Sequence, residues 1–258
     1  MKFILFVIIL SILPLYAIDL NLPVSAVQNS ANGLNLIHPT PASAISNPAI
    51  LQQGIETSAT YLFGMQELPY YNVHAVYSFG KKSLHLGESY LDQEYLTESR
   101  TNLAIGYKFN SFTFAGAVQI LRNKVENYHD ASSYLLNAGM VWTNSNFSSG
   151  IAVHNLSQAK FLELKLPITI MWESCYQITP NSAFSVGLEK EDDFDFSFKF
   201  AASYQPFQIM KILAGYQFEP DRIGIGTVFN LQKFKISYSI RTHQYLDLTQ
   251  YISICYEI

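Results

Sequence analysis

The chain has 258 residues, of which only 14% are charged (16 Lys+Arg against 20 Asp+Glu, net −4), while 18 Phe, 17 Tyr and 2 Trp supply another 14%. That composition excludes a disordered chain, which lacks aromatics, and a nucleic-acid binder working through bulk positive charge. Two Cys exclude a disulfide-built scaffold or a cysteine-cluster zinc domain.

The first element is Met1-Lys2 followed by the apolar run Phe3 to Leu10 and Ser-Ile-Leu-Pro-Leu-Tyr-Ala to Ala17. One positive charge, a short apolar stretch and a small residue have the form of a secretory signal, predicting export and removal of residues 1–17. Residues 18–54 differ in texture. They are small, polar and Pro-bearing, as in Asn29-Ser-Ala-Asn-Gly33 and Pro39-Thr-Pro-Ala-Ser-Ala-Ile-Ser-Asn-Pro-Ala49, with no sustained period.

From residue 55 to 258 the period is two, the mark of strands whose faces meet different surroundings. Phe194, Phe196, Phe198 and Phe200 alternate with Asp195, Ser197, Lys199 and Ala201; Phe234, Ile236, Tyr238 and Ile240 alternate with Lys235, Ser237, Ser239 and Arg241. Fourteen such segments are predicted, near 55–64, 70–79, 83–91, 101–109, 112–121, 133–143, 147–154, 165–178, 183–189, 194–204, 208–218, 222–230, 234–242 and 248–258. The third carries Gly87 and Glu88 in its middle and is the least regular.

Alternation does not say which face points outward. The polar face holds mostly Gly, Ala, Ser, Thr and Asn, where a solvated face would carry more Lys and Glu. Connections also alternate in length. Gly80-Lys-Lys82, Asn110-Ser111, Asn144-Ser-Asn146 and Leu231-Gln-Lys233 are short, whereas 92–100, 122–132 and 155–164 are long. Short turns on one rim and long loops on the other predict an all-β, transmembrane antiparallel β-barrel of about 14 strands in the bacterial outer membrane. The short rim and both chain ends are then periplasmic. Phe79, Phe109, Phe147, Trp172, Phe218 and Phe229 are expected in outward aromatic girdles.

The segment Pro41-Ala-Ser-Ala-Ile-Ser-Asn-Pro-Ala-Ile-Leu51, placed before the first strand, resembles the Asn-Pro-Ala stretch of the FadL-type outer-membrane superfamily. Gln250-Tyr-Ile-Ser-Ile-Cys-Tyr-Glu-Ile258 resembles the terminal strand of PorV/PorQ-like members. The resemblance implies an N-terminal plug over residues 18–54 with Asn47, Pro48 and Ala49 inside the barrel. It also implies a lateral opening at a kink in the third strand, here Gly87 and Glu88. A lumen this wide is not filled by wall side chains alone, which independently favours an occupant.

Two functions follow: passage of small hydrophobic molecules through a plugged barrel, or a PorV/PorQ-like accessory role in type IX protein secretion or surface attachment. The expected partners are outer-membrane lipid and a hydrophobic small molecule or a secreted protein, with the barrel a monomer. Neither a cofactor nor nucleic acid is called for, and no enzyme is expected. His74, His85 and His154 fall on lumen faces, but no spacing joins them to Ser78, Ser148 or Glu173 as a catalytic set. His129, Asp130 and His243 lack metal-ligand spacing. Cys175 and Cys255 sit on separate strands, and no disulfide is expected. Lys108, Glu173, Glu189, Lys199, Lys235 and Arg241 mix both signs along the lumen, which argues against a strongly ion-selective pore.

Overall fold

A computed structural model describes residues 23–65, 69–93, 96–125, 130–161, 164–192 and 194–258. The predicted signal and residues 18–22 of the predicted plug lie outside these.

Strands form where apolar and polar residues alternate. They are β1 (Gly54–Tyr61), β2 (Pro69–Phe79), β3 (Lys82–Asp92), β4 (Leu96–Phe109), β5 (Phe112–Val125), β6 (Ala131–Thr143) and β7 (Phe147–His154). A two-stranded hairpin follows, β8 (Lys160–Phe161) and β9 (Leu164–Lys165). The wall resumes with β10 (Thr169–Thr179), β11 (Ser182–Glu191), β12 (Ser197–Phe207), β13 (Met210–Phe218), β14 (Arg222–Leu231), β15 (Phe234–Arg241) and β16 (Thr249–Tyr256). All but β8 and β9 form one closed antiparallel barrel of fourteen strands, in which each strand pairs with its neighbour and β1 pairs with β16.

Closure removes every sheet edge, so each wall backbone group finds its partner within the barrel, as a bilayer demands. The turns after β2, β4, β6, β10, β12 and β14 are two or three residues long, while those on the opposite rim reach fourteen, at 155–168. Two expected loops are shorter than the sequence predicts. β4 starts at Leu96 and β5 runs to Val125, so pairing continues through much of 92–100 and 122–132.

The outer face is apolar. Ile105, Leu86, Phe198, Ile225 and Ile254 are exposed together with the predicted aromatics Phe79, Phe109, Phe147, Trp172, Phe218 and Phe229. A soluble monomer does not display so continuous an apolar surface. The opposite parity is buried and polar: Ser58, Asn72, Asn102, Gln119, Asn137, Ser185, Ser203 and Ser239. The chain is a membrane β-barrel in fold, with the faces oriented as the composition required.

Candidate functional site

The lumen is occupied by residues 23–53, nearly all buried. Their contacts run round the wall, from β1 through β7 and β10 to β16, which places them inside it. A short helix, α1 (Ala26–Ser30), starts where the Ser25 hydroxyl accepts the Gln28 N–H at 3.3 Å. Ala26 N–H donates to Ser253 Oγ at 2.8 Å, Asn29 Nδ2 to Ser239 Oγ at 3.0 Å, and the Ser58 hydroxyl donates to the Val24 carbonyl at 2.5 Å. The helix sits so close to the wall that Gly224 has no room for a side chain. A methyl group there would lie 2.7 Å from Ser30 O and collide with Asn29 O. Glycine is used here for close backbone approach.

Beyond the helix, Glu173 of β10 holds the chain. Its Oε2 accepts the N–H groups of Asn35 at 2.7 Å and Leu36 at 3.0 Å. Glu56 of β1 does the same for the Ala42 N–H at 3.1 Å, at the start of a 3-10 helix (Pro41–Ile45). Gln28 ties the two turns together, donating to Ala42 O at 2.9 Å and accepting from Val24 N at 2.9 Å. His38 is buried between them, with Lys211 Nζ donating to its Nδ1 at 3.2 Å. Burial, then the Lys211 and Lys235 charges, hold its pKa well below the ordinary 6.5, so the ring is neutral at pH 7.

Asn47 reaches β7, where its Nδ2 donates to Ile151 O at 3.3 Å, and its Oδ1 accepts the Ala49 N–H at 3.0 Å in a local turn. Gly139 of β6 makes space for it: a side chain there would strike Asn47 Oδ1 and touch Pro48 Cδ at 3.0 Å. Ala49 packs with Ile50 and Val141. The three residues of the Asn-Pro-Ala stretch therefore lie together against β6 and β7.

Between these polar holds runs an apolar seam. Val27, Ala31, Leu34 and Ile37 of the inner segment pack on Cys175, Ala183, Ala201, Leu213 and Val228 of β10 to β14. Both cysteines are free thiols.

The predicted lumen charges divide by depth. Glu173 is buried under the segment. Glu189 and Lys199 pair at 2.6 Å and line a small cavity of about 40 Å³ with Arg222, Arg241, His154 and Asn32. Lys235 pairs with Glu257 at 2.5 Å. Lys108, at the end of β4, is exposed at the short-turn rim. His154 Nε2 donates to Ser46 O at 2.8 Å and thus holds the segment. His74 and His85 stack at 5.5 Å and share a hydrogen bond of 3.3 Å between Nδ1 and Nε2. Among the described residues no cluster of three or more His, Cys, Asp and Glu could hold a metal ion.

β3 pairs with β2 and β4 without a register shift, so the strand carries no bulge at Gly87 and Glu88. Gly87 faces the lumen, where the His74 ring fills the space a side chain would need. Glu88 has the opposite parity and points outward, half-buried. The irregular pattern reflects packing under two histidines. Glu56, His38 and Asn35, which do much of the holding, were not anticipated. Glu56 carried a signal: it is an isolated carboxylate on the polar parity of the first strand, where hydrogen-bond donors of an inner segment satisfy it.

The fold is shared with solved monoaromatic hydrocarbon channels. Among solved structures, the chain is similar to the ΔS2 mutant of the monoaromatic hydrocarbon channel TodX, with a TM-score of 0.70 at 10% identity, covering 93% of this chain and 100% of that one. It is also similar to the CymD monoaromatic hydrocarbon channel (TM-score 0.67, 10% identity, 92% and 98% covered). A third is the P. putida toluene transporter TodX (TM-score 0.67, 9% identity, 93% and 99% covered). No family model and no curated protein matches the sequence. The likeness is one of fold, and the PorV/PorQ-like reading gains no support from it.

Proposed function

We propose that this protein is an outer-membrane channel that passes small hydrophobic molecules, with residues 23–53 as its plug. The observation that carries the reading is the apolar seam between the segment and β10 to β14. Hydrogen bonds fix the segment at a few points, chiefly Glu56, Glu173, Asn47 and His154. Along the seam apolar burial is interrupted only where Glu173 accepts from Asn35 and Leu36 and where Asn32 Nδ2 donates to Arg222 O. A shift of residues 27–37 away from that wall breaks these bonds and opens an apolar path, while the bonds to β1, β7 and β16 remain. The hydrocarbon channels of like fold support the substrate class. Two cavities between the segment and the wall, about 40 Å³ and 10 Å³, are too small for a benzene-sized molecule, which needs on the order of 150 Å³. Passage along the seam therefore calls for the segment to move.

The test is uptake of radiolabelled toluene by vesicles reconstituted with the full chain, compared with a variant in which Cys at positions 31 and 201 (Ala31→Cys, Ala201→Cys) locks the seam by a disulfide. Uptake that stops on oxidation and returns on reduction is expected. Equal uptake in both states refutes the seam as the path.

A further inference from the structure

The outer surface of β4, β5 and β6 changes character row by row. Val118 lies between Leu103 and Leu136, all exposed and apolar. One row higher, Ile120 lies between Thr101 and the exposed Tyr134. In the next, Arg122 stands between the hydroxyl residues Ser99 and Ser132, and beyond it Lys124 pairs with Thr97. These polar residues line an open groove of about 380 Å³, closed on one side by Asp130. Arg122 is ten positions beyond the rim aromatic Phe112. At ~3.3 Å per residue and a tilt of ~40°, that is about 25 Å above it, the height of a barrel's apolar band. The groove thus opens where acyl chains end and head groups begin, on the long-loop rim.

We propose that this groove binds the phosphate of a membrane-lipid head group in the outward-facing leaflet. Arg122 supplies a planar fork of donors for the phosphate oxygens. Lys124 adds a second charge, and Ser99 and Ser132 offer hydroxyl donors on either side of Arg122, while the Thr97 hydroxyl is given to Asp92 at 3.1 Å. Among the described lining residues two cations, Arg122 and Lys124, face one carboxylate, Asp130, with Asp92 at the groove's edge beside Thr97. Tyr134 and Ile120 beneath receive the start of the acyl chains. The inference rests on the membrane placement proposed above and is independent of transport.

The experiment is native mass spectrometry of the full chain released from non-ionic detergent, titrated with dilauroyl phosphatidylglycerol or with dilauroylglycerol, which lacks the phosphate. One phosphatidylglycerol retained per barrel, and no retained dilauroylglycerol, is expected. R122Q/K124Q should lose roughly fivefold in affinity per cation, about twenty-five-fold together. R122K/K124R should keep most of the binding, and K81Q on the short-turn rim should change nothing. Heat-modifiable mobility on gels confirms that each variant is a closed barrel. Equal retention by wild type and R122Q/K124Q overturns the proposal. Displacement of the lipid by millimolar inorganic phosphate overturns the lipid assignment in favour of a free-anion site. Retention of dilauroylglycerol at the same affinity shows an acyl-chain contact only, and also overturns it.

Discussion

Replacing Glu173 with Ala tests how the inner segment is held. The Glu173 carboxylate is buried and accepts the N–H groups of Asn35 and Leu36 at 2.7 and 3.0 Å. Truncation leaves both donors buried without that acceptor, at about 1–3 kcal/mol each, hence about 2–6 kcal/mol against the seated state. Even the lower figure multiplies the population of the displaced state by about 30. Glu173→Gln keeps an acceptor oxygen and should recover at least half the effect. Amide hydrogen exchange at Asn35 and Leu36 reads the local opening, and planar-bilayer recording reads the lumen. Faster exchange and longer conducting events are expected in the Ala variant. Unchanged exchange at those two amides would falsify the claim that Glu173 is the hold.

Gly224→Ala should unseat α1, because its methyl group meets main-chain atoms of Asn29 and Ser30 that cannot rotate away. A loss of about 1–3 kcal/mol is expected, visible as proteolytic cleavage within residues 23–35 of the folded barrel. His38 has a folded pKa below its unfolded value, so between about 6.5 and that lower pKa the displaced state binds more protons than the seated one. Seating is thus fully favoured above pH 6.5 and weakens as pH falls through the window. Exchange around residues 37–40 should quicken on acidification in wild type and change less in His38→Gln. Both tryptophans lie on the outward parity, Trp142 on β6 and Trp172 on β10. Brominated lipid should therefore quench most of the intrinsic fluorescence, and weak quenching would contradict the assigned outer face.

Most of the wall was legible because lipid on one side and a polar lumen on the other impose strict alternation, as in Phe234 to Arg241 of β15; at the start of β12 the same alternation runs three residues ahead of the strand, which begins at Ser197 and not at Phe194. The strand ends were legible only where that contrast persists. On β4 and β5 the outward residues turn polar at Thr97, Ser99 and Arg122, so alternation stops while backbone pairing continues, and loops were expected where strands run on. The inner segment has no period at all. Its polar holds include single hydrogen bonds from Ala26, Asn29 and Asn35 to residues more than a hundred positions away, and nothing local encodes such pairings. Asn47-Pro48-Ala49 was located through resemblance, and Gly139, which makes room for it, looks in sequence like any strand glycine. Gly87 is set by its neighbours in the same way: the His74 and His85 rings leave no room there for a side chain.

The strand that closes the ring also begins where the inner segment ends. Gly54 follows Gln53 directly, and Ile55 of β1 pairs with Tyr256 of β16, about two hundred positions away in sequence. Joining the first strand to the last is the most distant contact in the wall and carries a large loop-closure cost. The same zippering draws the tethered segment to the seam, where Ser58 and Ser253 on the two closing strands bind Val24 and Ala26. Final assembly of the wall and filling of its interior are thereby coupled. A chain whose segment cannot seat has fewer contacts to offset the cost of closing, so ring closure and the filling of the lumen stabilise one another.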